Sequence, residues 1–158
     1  MVQSIALLKK NKINLLIGGG QGKKEVKTLA KKLGIIDQTH FIPPAYFTKI
    51  PAFIAAADII ILPFFYNPTT SRSLLEAMAM GKPIITTPVG EIKNMLKHKT
   101  HALLVNNQPK NIAKAINLLL KNKSLAIKLS SQAQKLILRK YSLNKIINYH
   151  LKCYIIKQ

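Results

Sequence analysis

Acidic side chains are scarce in this chain. Its 158 residues include 5 Asp and Glu against 25 Lys and Arg, which gives a formal net charge of +20 at pH 7. Such a charge favours an anionic partner, either nucleic acid or a membrane surface. Only Arg72 and Arg139 are arginines, and arginine is the usual residue for bidentate contacts to phosphates and bases. Nucleic acid is therefore not the expected partner. We interpret the charge first as compositional bias and second as attraction to an anionic membrane face.

Cysteines and long apolar runs are scarce as well. Cys153 is the single cysteine, which excludes an intramolecular disulfide and a cysteine-based metal site. The most apolar segment, residues 52–66, is interrupted by Asp58 and Pro63 and does not reach the length of a bilayer span. No basic region precedes an apolar stretch at the N-terminus, so no signal peptide is predicted. We expect one domain over residues 1–158 in the cytoplasm, with peripheral contact at the inner membrane face as the alternative.

Short apolar runs alternate with helical patterns along the chain. Strands are predicted at residues 13–17, 41–42, 59–62, 84–86 and 102–105. Helices are predicted at residues 2–10, 23–33, 47 or 51 to 56, 71–80, 91–96 and 109–120, with two more between residues 124 and 152. The last two are expected to cover the domain with apolar stripes that include Ile127, Ile146 and Leu151. Because the strand runs are continuously apolar, the predicted fold class is α/β, a Rossmann-like doubly wound parallel sheet.

The most informative stretch is residues 71–90, a predicted helix followed by a buried strand. Ser71 or Ser73 is suited to cap the helix, and Gly81 followed by Pro83 ends it. Glu76 lies in the middle of this helix, among Leu, Met and Ala residues. A carboxylate beside apolar neighbours is expected to be solvated, to be paired with a cationic side chain or to have a function. The spacing alone leaves a solvated side chain and a functional one equally open.

The same stretch carries a family resemblance. Residues 75–90, LEAMAMGKPIITTPVG, resemble the signature of the C-terminal domain of GT-B glycosyltransferases, the retaining enzymes called family 4 or group 1. Further similarities lie at residues 17–20 (IGGG), 40–43 (HFIP), 55–63 (AAADIIILP) and 101–105 (HALLV). The resemblance implies the donor-binding half of an enzyme that takes a sugar from a UDP- or GDP-sugar. It also implies transfer with retention to a glycan or a lipid-linked acceptor.

A nucleotide-sugar in such a sheet lies beyond the carboxyl ends of the strands, with its diphosphate at a helix N-terminus. The residues expected to hold the diphosphate are Thr69, Thr70, Ser71, Arg72 and Ser73. The resemblance assigns the ribose hydroxyls to Glu76. The other nucleotide contacts that it implies come from Leu75 and Gly19 and, beside the base, from Phe41, Ile42 and Pro43. Ordinary helix capping is the competing interpretation of the loop. No metal or other cofactor is expected, and no catalytic residue is assigned.

The sequence departs from the family pattern in two places, and these departures limit which residue roles the resemblance implies. The family usually has a second carboxylate eight positions before the ribose-binding Glu, and Pro68 stands there in this sequence. The family domain also begins with a strand and a turn bearing an Arg and a Lys, and this sequence begins after them. Residues 13–17 and 59–62 are expected to flank that central strand. Its absence would leave two unpaired edges or force the flanking strands to pair directly.

Three functions remain open at this point. The first is the donor-binding half of a glycosyltransferase that works with a separate N-terminal half. The second is a truncated, non-catalytic remnant of such an enzyme, which the missing strand favours. The third is a basic module that binds an anionic surface, which only the charge favours.

Overall fold

Five short parallel strands form two small sheets in the computed structural model, which describes residues 1–8, 12–18, 22–42, 49–66 and 71–155. The first sheet pairs β1 (Leu15–Ile17) with β2 (Thr39–Phe41). The second sheet has the order β3 (Ile60–Leu62), β4 (Ile84–Thr86) and β5 (Leu103–Leu104). Each strand overlaps a predicted one and every pair is parallel, so the predicted α/β class is confirmed.

Within the described residues, β1 and β3 each have one edge without a paired strand. Residues of a parallel strand bond alternately to its two sides. Leu15 and Ile17 bond to residues in or beside β2, and Ile60 bonds to the residue before β4. The peptide groups of Leu16 and Ile61 are therefore directed toward the free edges. β4 is fully buried, whereas β3 is half-buried along its length. The described strands thus form two separate sheets, and β1 and β3, which were expected either to have unpaired edges or to pair directly, do not pair with each other.

Eight helices accompany the strands in the described part of the chain. They are α1 (Val2–Ala6), α2 (Lys23–Lys32), α3 (Ile50–Ala56), α4 (Arg72–Ala79), α5 (Ile92–Met95), α6 (Pro109–Lys121), α7 (Lys123–Tyr141) and α8 (Leu143–Ile155). Each lies where the sequence predicts a helix, and the break between α7 and α8 follows Tyr141 as expected. None of these helices is long and apolar enough to cross a bilayer.

The buried side chains form two clusters. The first joins β1 to α1, α2 and α6, with Ile5, Ala30 and Ile116 among its members. The second joins α4 to α5, α7 and β4, with Leu74 and Met78 at its centre. Because α4 is embedded in the second cluster, its position is set by core packing and not by its own helix propensity.

The apolar stripes predicted for the last two helices are wrong in part. Ile127 is 68% exposed, since it lies two positions before the buried Leu129 and therefore about 200° around the helix from it. On α8, Ile146 and Leu151 are also exposed, at 41% and 51%. The described side chains of α8 are exposed to solvent and are not buried against the domain.

The turn between α5 and β5 is held by a histidine. The backbone N–H of Lys97 donates to Nδ1 of His101 at 3.1 Å, so this nitrogen must be unprotonated. The pKa of His101 lies below its ordinary value of 6.5, mainly because the ring is partly buried and further because Lys97, Arg139 and Lys140 are nearby. Both the hydrogen bond and the surrounding charge therefore favour the neutral ring.

We predict that this histidine makes the fold less stable in mild acid. Below pH 6.5 the unfolded chain binds the proton while the folded His101 does not, until the lower folded pKa is reached. The stabilisation is therefore complete above about pH 6.5 and is lost as the pH falls below it. Chemical denaturation at pH 7.5 and pH 5.5 measures this loss, and His101→Gln should reduce it. An equal loss in the variant and the parent chain would contradict the assignment.

Candidate functional site

Two consecutive threonines hold the chain at the carboxyl end of β3. Thr86 Oγ1 donates to the carbonyl of Leu62 at 2.9 Å, and Thr87 Oγ1 donates to the carbonyl of Phe64 at 2.8 Å. Both threonines are buried, at 1% and 2% exposure. Thr86, in β4, and Thr87, directly after it, therefore hold the chain at the carboxyl end of β3, as far as Phe64.

Ser71 is the N-cap of α4. Its Oγ accepts the backbone N–H of Leu74 at 3.2 Å, and its φ and ψ of −87° and 106° are those of an extended residue. The capping interpretation of the sequence is thus confirmed for Ser71. A hydroxyl that accepts one hydrogen bond can still donate its own proton. The amide dipoles at the start of α4 give this end a partial positive charge, although the N–H of Leu74 is already bonded to Ser71.

Glu76 lies just beyond the first turn of the same helix. Its side chain is half-buried, between the buried Leu74, Ala77 and Met78 on one face and the exposed Arg72 and Ser73 toward the helix start. No hydrogen bond or ion pair joins its carboxylate to another residue in the described part of the chain. A half-buried carboxylate with no partner among the described residues can accept hydrogen bonds from a ligand.

The end of β2 is held by a lysine from the first turn of α2. Lys23 Nζ donates to the carbonyl of Ile42 at 3.0 Å, and the N–H of Ile42 donates to the carbonyl of Ile17 at 2.9 Å. Phe41 and Ile42 are both half-buried. Gly22, which precedes α2, has a φ of 71°, a conformation that favours glycine.

The structure brings part of the predicted site together. Five of the predicted residues lie at the start of α4: Ser71, Arg72, Ser73, Leu75 and Glu76. Phe41 and Ile42 lie at the end of β2, in the other sheet. The remaining four, Gly19, Pro43, Thr69 and Thr70, lie outside the described residues. Their roles stay predictions.

Two elements of this region were missed in the sequence. Thr86 and Thr87 read as β-branched strand residues, and nothing local shows that their hydroxyls reach across to β3. Lys23 was not singled out among the many lysines of the sequence. Its position at the start of a helix, directly after a glycine turn, is a signal that could have identified it. Within the described residues, no group of three or more His, Cys, Asp or Glu side chains is placed to hold a metal ion.

Comparisons with known proteins give the family. The model of the family "Glycosyl transferases group 1" matches residues 1–136, which is most of the chain. The chain therefore belongs to the group 1 glycosyltransferase family. Among curated proteins it is 31% identical over 108 residues to a D-inositol 3-phosphate glycosyltransferase of Salinispora arenicola, covering 68% of this chain and 24% of the relative. The chain spans less than half the length of the curated relatives it matches.

Solved structures share the fold. The C-terminal domain of a group 1 glycosyltransferase from Francisella tularensis superposes with a TM-score of 0.80 at 24% identity, covering 90% of this chain and 77% of that one. An Anabaena protein, HepE, solved in complex with UDP, superposes with a TM-score of 0.85 at 19% identity, covering 99% of this chain and 44% of that one. At these identities the likeness supports the fold, here one half of a GT-B glycosyltransferase.

Proposed function

We propose that this chain binds the donor of a retaining glycosyltransferase, a UDP- or GDP-sugar, at the start of α4. The Glu76 carboxylate accepts hydrogen bonds from the two ribose hydroxyls. The diphosphate lies at the N-terminus of α4, where the amides of the first turn, the hydroxyls of Ser71 and Ser73 and the charge of Arg72 attract it. The observation that carries the proposal is the half-buried Glu76 carboxylate, which has no partner among the described residues.

The surrounding charge is compatible with this assignment. The chain carries 25 basic and 5 acidic residues, so its overall charge attracts an anionic ligand such as a nucleotide diphosphate. Family membership supports a nucleotide-sugar as that ligand, and a structural neighbour was solved with UDP. Thr69, Thr70, Leu75 and Gly19 are proposed to complete the diphosphate and ribose contacts. Phe41, Ile42 and Pro43 are proposed to border the base.

The chemistry proposed for this half is electrostatic. Transfer of the sugar leaves negative charge on the departing diphosphate, and fixed amide dipoles with a cationic side chain stabilise that charge best where water is excluded. The proposed stabilisation uses no metal ion, because the helix terminus and Arg72 supply the positive charge. The acceptor, a glycan or a lipid-linked molecule, is proposed to be held by a separate N-terminal half. Within the described residues β1 and β3 each have one edge without a paired strand, and such an edge can accept a strand from another chain.

We predict that UDP binds the isolated chain with a dissociation constant of about 1 mM or tighter, that is, with a free energy of about −4 kcal/mol or better. Calorimetric titration of UDP, GDP and their glucose conjugates measures the affinity and the base preference. Binding should not change when EDTA is added. A chain that unfolds cooperatively on heating but gives no heat with either nucleotide at several millimolar would contradict the proposal.

A further inference from the structure

A pocket of about 290 Å³ lies between α6 and the segment that contains β5. One wall is a single stripe of α6, formed by Asn111, Lys114, Ala115 and Leu118; their spacing of three and four residues places them on one face of the helix. The opposite wall is the segment from His98 to Asn106, which contains β5. The floor is apolar, because Leu103, Val105, Ala115 and Leu118 line it. No residue of α4 lines the pocket, so it is separate from the site described above.

His98 gives this pocket a defined hydrogen-bond donor. β5 pairs with β4 on one side, so the N–H of Leu104 points to the other side, where it donates to Nδ1 of His98 at 3.1 Å. A nitrogen that accepts a hydrogen bond carries no proton, and the proton of the neutral ring therefore lies on Nε2. The imidazole protects the outer edge of the sheet with one nitrogen and offers a donor with the other.

Lys99 and Lys114 bring positive charge to the pocket lining, beside the neutral polar residues Asn106 and Asn111. No carboxylate is among the lining residues. Lys99 lies in a tight turn with a φ of 57°, and its N–H donates to the carbonyl of Ala102 at 2.9 Å, so the turn that presents its side chain is fixed. Ammonium groups donate charge-assisted hydrogen bonds to phosphate oxygens.

We propose that this pocket binds a phosphate monoester with an apolar tail. The phosphate lies between Lys99 Nζ, Lys114 Nζ and His98 Nε2, all of which donate hydrogen bonds. The tail lies on Val105 and Leu118, since Leu103 is only 2% exposed. Charge complementarity selects the phosphate, and the apolar floor selects a tail over free phosphate. Such a molecule is either a soluble alkyl phosphate or the head group and first methylenes of a membrane phospholipid.

The test uses octyl phosphate below its micelle concentration as the probe, with backbone amide NMR shifts as the readout. We expect saturable shifts centred on residues 98–118. Octanol and inorganic phosphate should each bind at least about tenfold more weakly, because each lacks half of the contacts. The double variant Lys99→Gln/Lys114→Gln should lose about tenfold or more in affinity for octyl phosphate. The exposed pair Lys24→Gln/Lys27→Gln on α2 removes the same charge elsewhere and should leave the affinity unchanged.

A second variant distinguishes a loss of binding from a loss of folding. Leu118 is 39% exposed, so Leu118→Asp should fold, which its melting temperature will show, and its carboxylate should repel the probe. Vesicles containing phosphatidic acid identify the source: binding that octyl phosphate displaces indicates a lipid head group, and no vesicle binding indicates a soluble ligand. The proposal is overturned if the two lysine pairs lower the affinity equally, or if the shifts spread over lysines of the whole chain.

Discussion

Replacing Glu76 by Gln is expected to weaken UDP binding by about 10- to 100-fold. Gln has the shape of Glu but lacks its charge, and a hydrogen bond to a charged group contributes about 1.5–3 kcal/mol, where 1.4 kcal/mol is a factor of ten in affinity. Glu76 has no partner among the described residues, so its replacement breaks no ion pair seen in the fold. The loss should therefore appear in binding and not in stability. Calorimetric titration of UDP into both chains measures it.

Glu91 provides the matched control for this experiment. It is an exposed carboxylate at the start of α5, and Glu91→Gln makes the same change in charge at a position with no proposed contact to the nucleotide. The control should bind UDP within about twofold of the parent chain. Equal losses in the two variants would mean that only the overall charge matters, and the proposed role of Glu76 would then be wrong.

Replacing Met78 by Ala is expected to lower the free energy of unfolding by about 2–5 kcal/mol. Met78 has no exposed surface and lies at the centre of the cluster that joins α4 to α7. Removing its side chain leaves a cavity that the packed helices fill only in part. For a chain of this size the melting temperature should fall by about 4–20 °C. Thermal and chemical unfolding followed by circular dichroism measure both quantities.

Met80 is the control at the end of the same helix. It is 38% exposed, so Met80→Ala should cost less than about 1 kcal/mol. If the two variants were equally stable, α4 would not be held by its buried face, and the account of how the site is positioned would fail. A loss of stability confined to Met78→Ala would support the interpretation that the packing of the buried face of α4 sets the position of its N-terminus.

The order of helices and strands could be predicted because apolar periodicity and breakers are local signals. Gly81 ends α4 with a φ of 61°, as its place before Pro83 suggests. Ser71 caps the same helix as expected. The sequence could not predict which apolar stripe packs against another helix or strand. Ile146 lies on an apolar stripe of α8 as Leu129 lies on one of α7, yet only Leu129 is buried, because burial depends on where the next element packs.

The candidate site was predictable only where its residues are adjacent in sequence. The start of α4 carries five predicted residues on one short segment, and the structure keeps them together. Contacts between distant segments were not visible: Lys23 reaches the carbonyl of Ile42, and Thr87 reaches that of Phe64, across 19 and 23 positions of sequence. Such bonds depend on the register of strands that the sequence does not specify. The family pattern left open whether β1 and β3 would pair directly, and no local signal in either strand decides it.

A double-variant cycle between Glu76 and the ribose tests the central claim most directly. The affinities of UDP and 2′,3′-dideoxy-UDP are measured by calorimetry for the parent chain and for Glu76→Ala. The parent chain should lose about tenfold or more when the hydroxyls are removed, whereas the variant, which has no carboxylate to accept them, should bind both nucleotides alike. If the hydroxyls contribute as much without Glu76 as with it, that carboxylate does not hold the ribose.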